Sequence, residues 1–273
     1  ARLMHDNGGY CFVDYTCAAP YDAVQMRTQD PRDKLDAIYF SPHKFLGGGS
    51  QTPGILVLDK SLYKKQVPVR PGGGTVLWTN PWGGRSFIED IEVREDGGTP
   101  PILGLIRAGL AMDLKHDMGL EKIAQREEEI AEHVFTELDD HSRIHILDGQ
   151  RQRRLGLFAL TLEGLHYNLV TSILNDRYGI QARGGCACAG TYGHILFDIS
   201  PEHSRSITCE IDAGNAEHKP GFTRISFHPT MSSRTVDYVV TALKEIAQHG
   251  NEWQQDYIQM PRSDQFLHRS LVK

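Results

Sequence analysis

Ser41-Pro42-His43-Lys44-Phe45-Leu46-Gly47-Gly48-Gly49 stands between two short apolar runs. Asp36-Ala37-Ile38-Tyr39-Phe40 precedes it and Gly54-Ile55-Leu56-Val57-Leu58 follows it. Both runs are β-prone and of strand length, which predicts buried strands. Lys44 then falls in the loop that leaves the first strand, just ahead of a glycine run that allows close backbone approach. A lysine that points inward is costly without a partner. A desolvated amine is also the better nucleophile, because its neutral form becomes accessible. Such a residue suits Schiff-base chemistry; the alternative is a surface lysine in a glycine-rich turn.

Upstream, Tyr10-Cys11-Phe12-Val13-Asp14 is another short apolar run, and it ends in a carboxylate. Ligands of parallel α/β sheets bind at the carboxyl ends of strands. Pyridoxal phosphate (PLP) needs a lysine for its aldehyde and an acid against its ring nitrogen, and Lys44 with Asp14 would supply both. The Ser-x-His-Lys motif at Ser41–Lys44, Asp14 at a preceding strand end and the glycines after Lys44 together resemble the class V aminotransferases. Within them the chain is most similar to the cysteine desulfurase and selenocysteine lyase branch, and the resemblance covers most of residues 10 to 248.

That resemblance implies an α/β fold: part of a PLP-dependent transferase-like (fold type I) large domain over residues 1–118, then a smaller C-terminal α+β domain over 119–273. It implies pyridoxal 5'-phosphate as cofactor, with Asp14 on the ring nitrogen, Lys44 as the catalytic Schiff-base lysine, and Ser41 and His43 at the phosphate. Ser41 and His43 read without it as turn residues beside Pro42. The family has a Gln three residues after its Asp; here that position is Cys17, read as a small buried hydrophobe. Relatives also carry a long segment ahead of the Asp strand, so the chain is expected to be a fragment lacking that part.

The chain has 273 residues and a formal net charge of -6, with no dense basic stripe, which argues against a nucleic-acid partner. Its longest apolar runs are of strand length, so no membrane span is expected, and no secretory signal is read at the start. Five cysteines, an odd number, do not read as a disulfide framework. The expected setting is a reducing cytoplasm.

Residues 18–34 read as a connection. Residues 68–85, rich in Pro, Gly and Trp, read as a long irregular loop against a partner subunit or the mouth of the site. Thr99 is expected to cap a helix starting near Pro100, and such a helix start is an anion site. The resemblance gives the matching Gly-Thr-Pro a second task, reaching the phosphate of the neighbouring subunit's cofactor, and so implies a homodimer.

Helical spacing continues over 102–116 and again from Leu120 to Leu138, with Glu127-Glu128-Glu129 read as a solvated face. Further on, 143–147, 155–162, 180–183 and 223–227 read as strands. Residues 165–178, stopped by Gly179, and 234–247 read as helices. The tail from Asn251 reads as polar and extended.

Arg183-Gly184-Gly185-Cys186-Ala187-Cys188-Ala189-Gly190 puts two thiols two apart in a glycine-rich loop. A zinc site wants a second ligand pair at matching spacing, and Cys11, Cys17 and Cys209 supply none, so no metal is expected. The open readings are two inert buried thiols or a nucleophile beside a basic residue, which favours the thiolate. The desulfurase pattern, laid on Arg183, puts the reactive cysteine at Cys188, with Cys186 where many relatives have no thiol. Arg224, on the alternating run Thr223–Phe227, is expected near-buried and in need of an anion. The resemblance gives it the substrate carboxylate; otherwise it makes a structural salt bridge. The segment from His194 to Gly221, with Glu202, Glu210, Asp212 and His218, looks longer than in compact desulfurases and is placed to cover or reshape the site.

The implied reaction is sulfur transfer from L-cysteine, giving alanine and a Cys188 persulfide, with a possible sulfur-acceptor protein. Two alternatives stay open. One is a PLP-dependent aminotransferase or cysteine/selenocysteine lyase that does not use Cys188. The other is a cofactor-free fragment acting as an interaction module.

Overall fold

A computed structural model describes residues 1–150 and 153–272. It divides into two compact units, Ala1–Ala124 and Gln125–Lys273. The mixed α/β character expected from the alternating runs is present throughout.

The first unit opens with a short helix, α1 (Arg2–Asp6), and centres on a three-stranded sheet of β1 (Phe12–Asp14), β2 (Ala37–Phe40) and β3 (Ile55–Leu58). The order is β1-β2-β3. β1 runs parallel to β2 with Asp14 opposite Tyr39, and β3 returns antiparallel with Phe40 opposite Ile55. The connection at 18–34 carries a single 3-10 turn at Pro31–Asp33.

The stretch read as an irregular loop instead contains a hairpin, β4 (Val76–Thr79) and β5 (Arg85–Phe87), with a register shift between Val76 and Trp78. Its Asn80 side chain accepts the amides of Trp82 and Gly84, which closes the turn. A five-residue helix, α2 (Ile91–Glu95), follows. Its Arg94, buried at 5 % exposure, donates to the carbonyls of Ile88, Glu89 and Lys65. A long cationic side chain thus ties three loop carbonyls that apolar patterning could not have placed.

α3 (Ile102–Met118) confirms the helical spacing but not the cap: Pro101 is its N-cap, and Thr99 lies exposed in the preceding loop. The proline pair at 100–101 sets the first turn without a side-chain acceptor. α3 buries its small residues, Gly104, Ala108 and Ala111. A Cβ on Gly104 would lie 2.2 Å from the Gln51 carbonyl oxygen, so the helix sits closer to that loop than any larger residue permits.

The second unit takes in most of α4 (Leu120–Leu138) and a four-stranded antiparallel sheet in the order β6-β7-β9-β8. The strands are β6 (Ile144–Ile146), β7 (Leu157–Leu162), β8 (Arg183–Gly185) and β9 (Phe222–Ser226). Burial alternates along β7, and Phe158, Leu160 and Leu162 face the core. Against them pack α4, α5 (Tyr167–Tyr178) and α8 (Ser233–Trp253), through residues such as Val134, Ile173 and Leu243. Phe158 meets Phe135 and Phe227 edge-on, at ring distances of 5.6 and 5.9 Å. α5 ends at Gly179 in the left-handed conformation, as the sequence predicts.

Two readings are corrected here, at Glu127 and in the tail, and the segment 194–221 gains a description. Glu127 is not solvated: it is buried, and its carboxylate accepts the Gly156 amide. The segment 194–221 contains most of one short helix, α6 (Gly190–Leu196), and a second, α7 (Pro201–Asp212), with no buried residue on α7. The tail is not merely extended: β10 (Tyr257–Gln259) pairs antiparallel with β11 (Phe266–His268), and the hairpin docks on α5. Tyr167 and Asn168 bond Asp264, and Ser172 bonds the Phe266 carbonyl.

Candidate active site

In the first unit, four expected residues gather at the carboxyl end of the parallel pair β1/β2. Asp14 ends β1, and Ser41 follows β2 directly, leading into a 3-10 turn over Pro42–Lys44. The Asp14 carboxylate accepts the Thr16 amide at 2.8 Å. The Thr16 hydroxyl, the Thr16 amide and the nearby Lys44 charge hold it below the usual carboxylate range. An acid so placed stays ionised at neutral pH, as an anionic partner for a ring N–H must.

Ser41 is half-buried and makes no capping bond with its hydroxyl, which leaves it available. His43 and Lys44 are exposed. Of the two open readings, this exposure matches the surface lysine and not the inward, desolvated one. The lysine that burial does push down is Lys115 on α3, which lies 5.8 Å from the Phe45 ring centroid and donates to the Ala19 and Asp22 carbonyls. The glycine run also has a local partner. A Cβ on Gly48 would lie 1.9 Å from the Pro42 carbonyl oxygen, so the run folds the Lys44 loop back on itself. Cys17 is exposed, not the buried hydrophobe expected of it.

In the second unit, β8 and β9 set Arg183 directly opposite Arg224. Like charges opposite each other across a ladder repel, so an anion between them is favoured. Arg224 is half-buried, and its Nε is buried with no hydrogen-bond partner among the described residues. This leaves a guanidinium edge unpaired where the alternative reading wants a salt bridge. Arg183 Nη2 donates to Cys188 Sγ at 3.4 Å. The cysteine at the fifth position after the arginine was legible; the ladder that turns this arginine toward both Cys188 and Arg224 was not.

Cys188 is exposed and Cys186 half-buried, so neither is the inert buried thiol of the bland reading. Ala187 and Cys188 both have positive φ, 47° and 65°, a strained state for residues with a Cβ.

The family described as Aminotransferase class-V matches residues 1–239. A probable cysteine desulfurase of Halalkalibacterium halodurans is 29% identical over 193 residues, covering 69% of this chain and 44% of the relative. Among solved structures, an apo cysteine desulfurase from Thermococcus onnurineus superimposes with a TM-score of 0.70 at 23% identity, covering 89% of this chain and 54% of that one. A variant of the protein called C-DES, with glycine covalently linked to its PLP cofactor, gives 0.57 at 15% identity, covering 83% and 49%. The chain thus spans under half the length of the curated relative and about half of those structures. With the family match over most of its length, and with the Asp14 and Lys44 loops at one end of a parallel strand pair, the chain belongs to the class-V aminotransferases.

Proposed function

We propose that the chain carries the lysine loop and the thiol loop of a PLP-dependent cysteine desulfurase. The observation that carries this reading over its relatives is Cys188, an exposed thiol hydrogen-bonded by Arg183 in a strained turn. The residues present in the first unit fit PLP: an ionised acid beside Lys44, and a Ser41 hydroxyl with no capping bond among the described residues.

Asp14 would accept the hydrogen bond of the ring N–H, Ser41 and His43 would hold the phosphate, and Lys44 would attach the cofactor. When bound, the cofactor withdraws electrons from the substrate Cα. Arg224 binds the amino-acid carboxylate bidentately, and Lys44 moves the proton at Cα. The Cys188 thiolate would attack the substrate sulfur: the S–S bond forms as the Cβ–S bond breaks, the electron pair of the broken bond stays with Cβ, which takes up a proton, and alanine and a Cys188 persulfide result. A sulfur-acceptor protein then takes the outer sulfur.

The reading includes a homodimer, in which Thr99 of one copy reaches the other copy's phosphate. The exposed large residues of α3, among them Leu103 at 81 % and Leu110 at 63 %, support a second copy as their cover. The setting is cytoplasmic, as five free cysteines suit a reducing compartment.

Treatment with PLP and borohydride, then peptide mapping, tests the cofactor reading: a single pyridoxyl adduct at Lys44 is expected. Alanine release from L-cysteine by wild type, and its loss in Cys188→Ala with α-proton exchange retained, tests the desulfurase reading. Unchanged alanine release by that variant favours a lyase or transaminase that ignores Cys188. A chain that gains no adduct with excess PLP favours the interaction-module reading.

A further inference from the structure

The turn that presents Cys188 contains a second thiol that the proposed reaction does not use. Cys186 and Cys188 flank Ala187, and the Ala189 amide closes the turn on the Cys186 carbonyl at 2.8 Å. Both central residues, Ala187 and Cys188, have positive φ. This is the mirror-image turn that normally takes Asn or Gly. Two ~3.8 Å steps folded at such a residue set the flanking Cα atoms about 5.5 Å apart, within the range that a disulfide spans. An extended Cys-x-Cys would hold them further apart.

Each thiol is held by one weak contact. Cys186 Sγ donates to the Pro220 carbonyl at 3.3 Å, and Cys188 Sγ accepts from Arg183 at 3.4 Å. Exchanging these for a sulfur–sulfur bond disturbs no core residue. Burial also orders the pair: Cys188 is exposed and meets a reagent first, while Cys186 is half-buried beside it. A fixed positive charge stands at the outer sulfur, where attack on an incoming disulfide begins.

We propose that Cys186 and Cys188 form a reversible intramolecular disulfide, a redox modification site that takes the Cys188 thiol out of use. The oxidant is a low-molecular-weight disulfide. The Cys188 thiolate attacks one of its sulfurs, forming a mixed disulfide and releasing one thiol. The Cys186 thiolate then attacks the Cys188 sulfur, forming the internal S–S bond and releasing the second thiol. Two electrons pass to the oxidant, and the two protons leave on the released thiols. A small-molecule thiol reverses both steps. The site does not depend on the cofactor, so it stands or falls apart from the desulfurase reading; where both hold, oxidation is an off switch.

The test is incubation of the full chain with oxidised glutathione, an alkylating quench, and intact-mass and non-reducing peptide analysis. The wild-type peptide that holds both thiols is expected to lose two hydrogen masses without retaining glutathione, to map the bond to Cys186–Cys188, and to lose nearly all Cys188 alkylation until dithiothreitol is added. Cys186→Ser is expected to stop at a glutathione adduct on Cys188. Cys209→Ser is expected to behave as wild type. A stable glutathione adduct on wild-type Cys188 overturns the proposal, as does a bond mapped to Cys209 or between chains. So does a Cys188 that fails to react with excess oxidant.

Discussion

The two units solve the burial problem differently. In Gln125–Lys273, helices α4, α5 and α8 cover the alternating residues of β7 and β9, and a continuous apolar core results. In Ala1–Ala124, the buried cluster around Ala19, Phe45 and Ala111 is small. Large apolar residues remain outside it: Leu56 on the sheet, Trp78 and Trp82 on the hairpin, Leu103 and Leu110 on α3. Parallel strand pairs are normally covered on both faces, yet Phe12 on β1 and Tyr39 on β2 are exposed. α3 reverses the usual amphipathic order, with small residues inside and large ones outside. The unit that holds Lys44 therefore leaves large apolar residues in solvent, whereas the unit that holds Cys188 encloses a continuous apolar core.

The largest effect should come from the second core. Phe158→Ala is expected to cost about 3–5 kcal/mol, read as a lower urea midpoint. With the chain diluted to the monomer, Leu110→Ala on α3 should stay within about 0.5 kcal/mol. Equal losses would break the contrast between the units.

Next, replacing Leu103 and Leu110 together by Ser should reduce self-association in sedimentation while leaving the midpoint of the second unit's transition in place. A double variant that associates as wild type does would remove α3 from the interface.

A smaller effect is expected at Glu127. Burial raises its pKa, and one carboxylate oxygen has no partner among the described residues. A raised pKa means stability that is full below the unfolded value of about 4.3 and lost as pH rises through the folded value. Glu127→Gln should therefore gain about 1–2 kcal/mol near neutrality and little in acid. A Gln variant that is less stable at neutral pH would show that the carboxylate is needed.

The smallest belongs to α1. His5 bonds the buried Asp36 at 2.8 Å, which raises the His5 pKa, while Asp36 is lowered. Burial opposes the lowering of Asp36, but hydrogen bonds from His5, Cys11 and Lys34 outweigh it. The pair contributes above the unfolded Asp value of about 4 and fades as pH rises through the raised histidine value. The difference in midpoint between wild type and His5→Gln should shrink in that direction; a difference independent of pH would assign α1's hold to the Arg2 pairs with Asp30 and Asp33.

Strands and helices that declare themselves by apolar period were legible: β1 to β3, β7, α3 to α5, α8. So was the Gly179 stop. The hairpin at 76–87 was hidden because its turn rests on one Asn side chain and its ladder is irregular, neither of which leaves a period. α7 was hidden because a helix that buries nothing has no apolar stripe to read. The site divides the same way. Positions carried by a motif, Lys44 and Cys188, could be nominated from the sequence, but their exposure could not, since a loop's orientation depends on contacts far along the chain. The Arg183–Arg224 pairing depends on strand register, which spacing alone does not fix.

The three tryptophans are distributed along the same divide. Trp78 and Trp82 stand on the first unit's hairpin in solvent, while Trp253 closes α8 with the Arg177 guanidinium 4.3 Å from its ring centre. Light emitted from the hairpin indoles is therefore red-shifted and open to collisional quenchers, and any surface laid over them turns it blue. Trp253 is half-buried under a cation and changes colour chiefly on unfolding. The protein thus carries an internal optical pair, one part sensitive to what covers it and the other to whether it is folded.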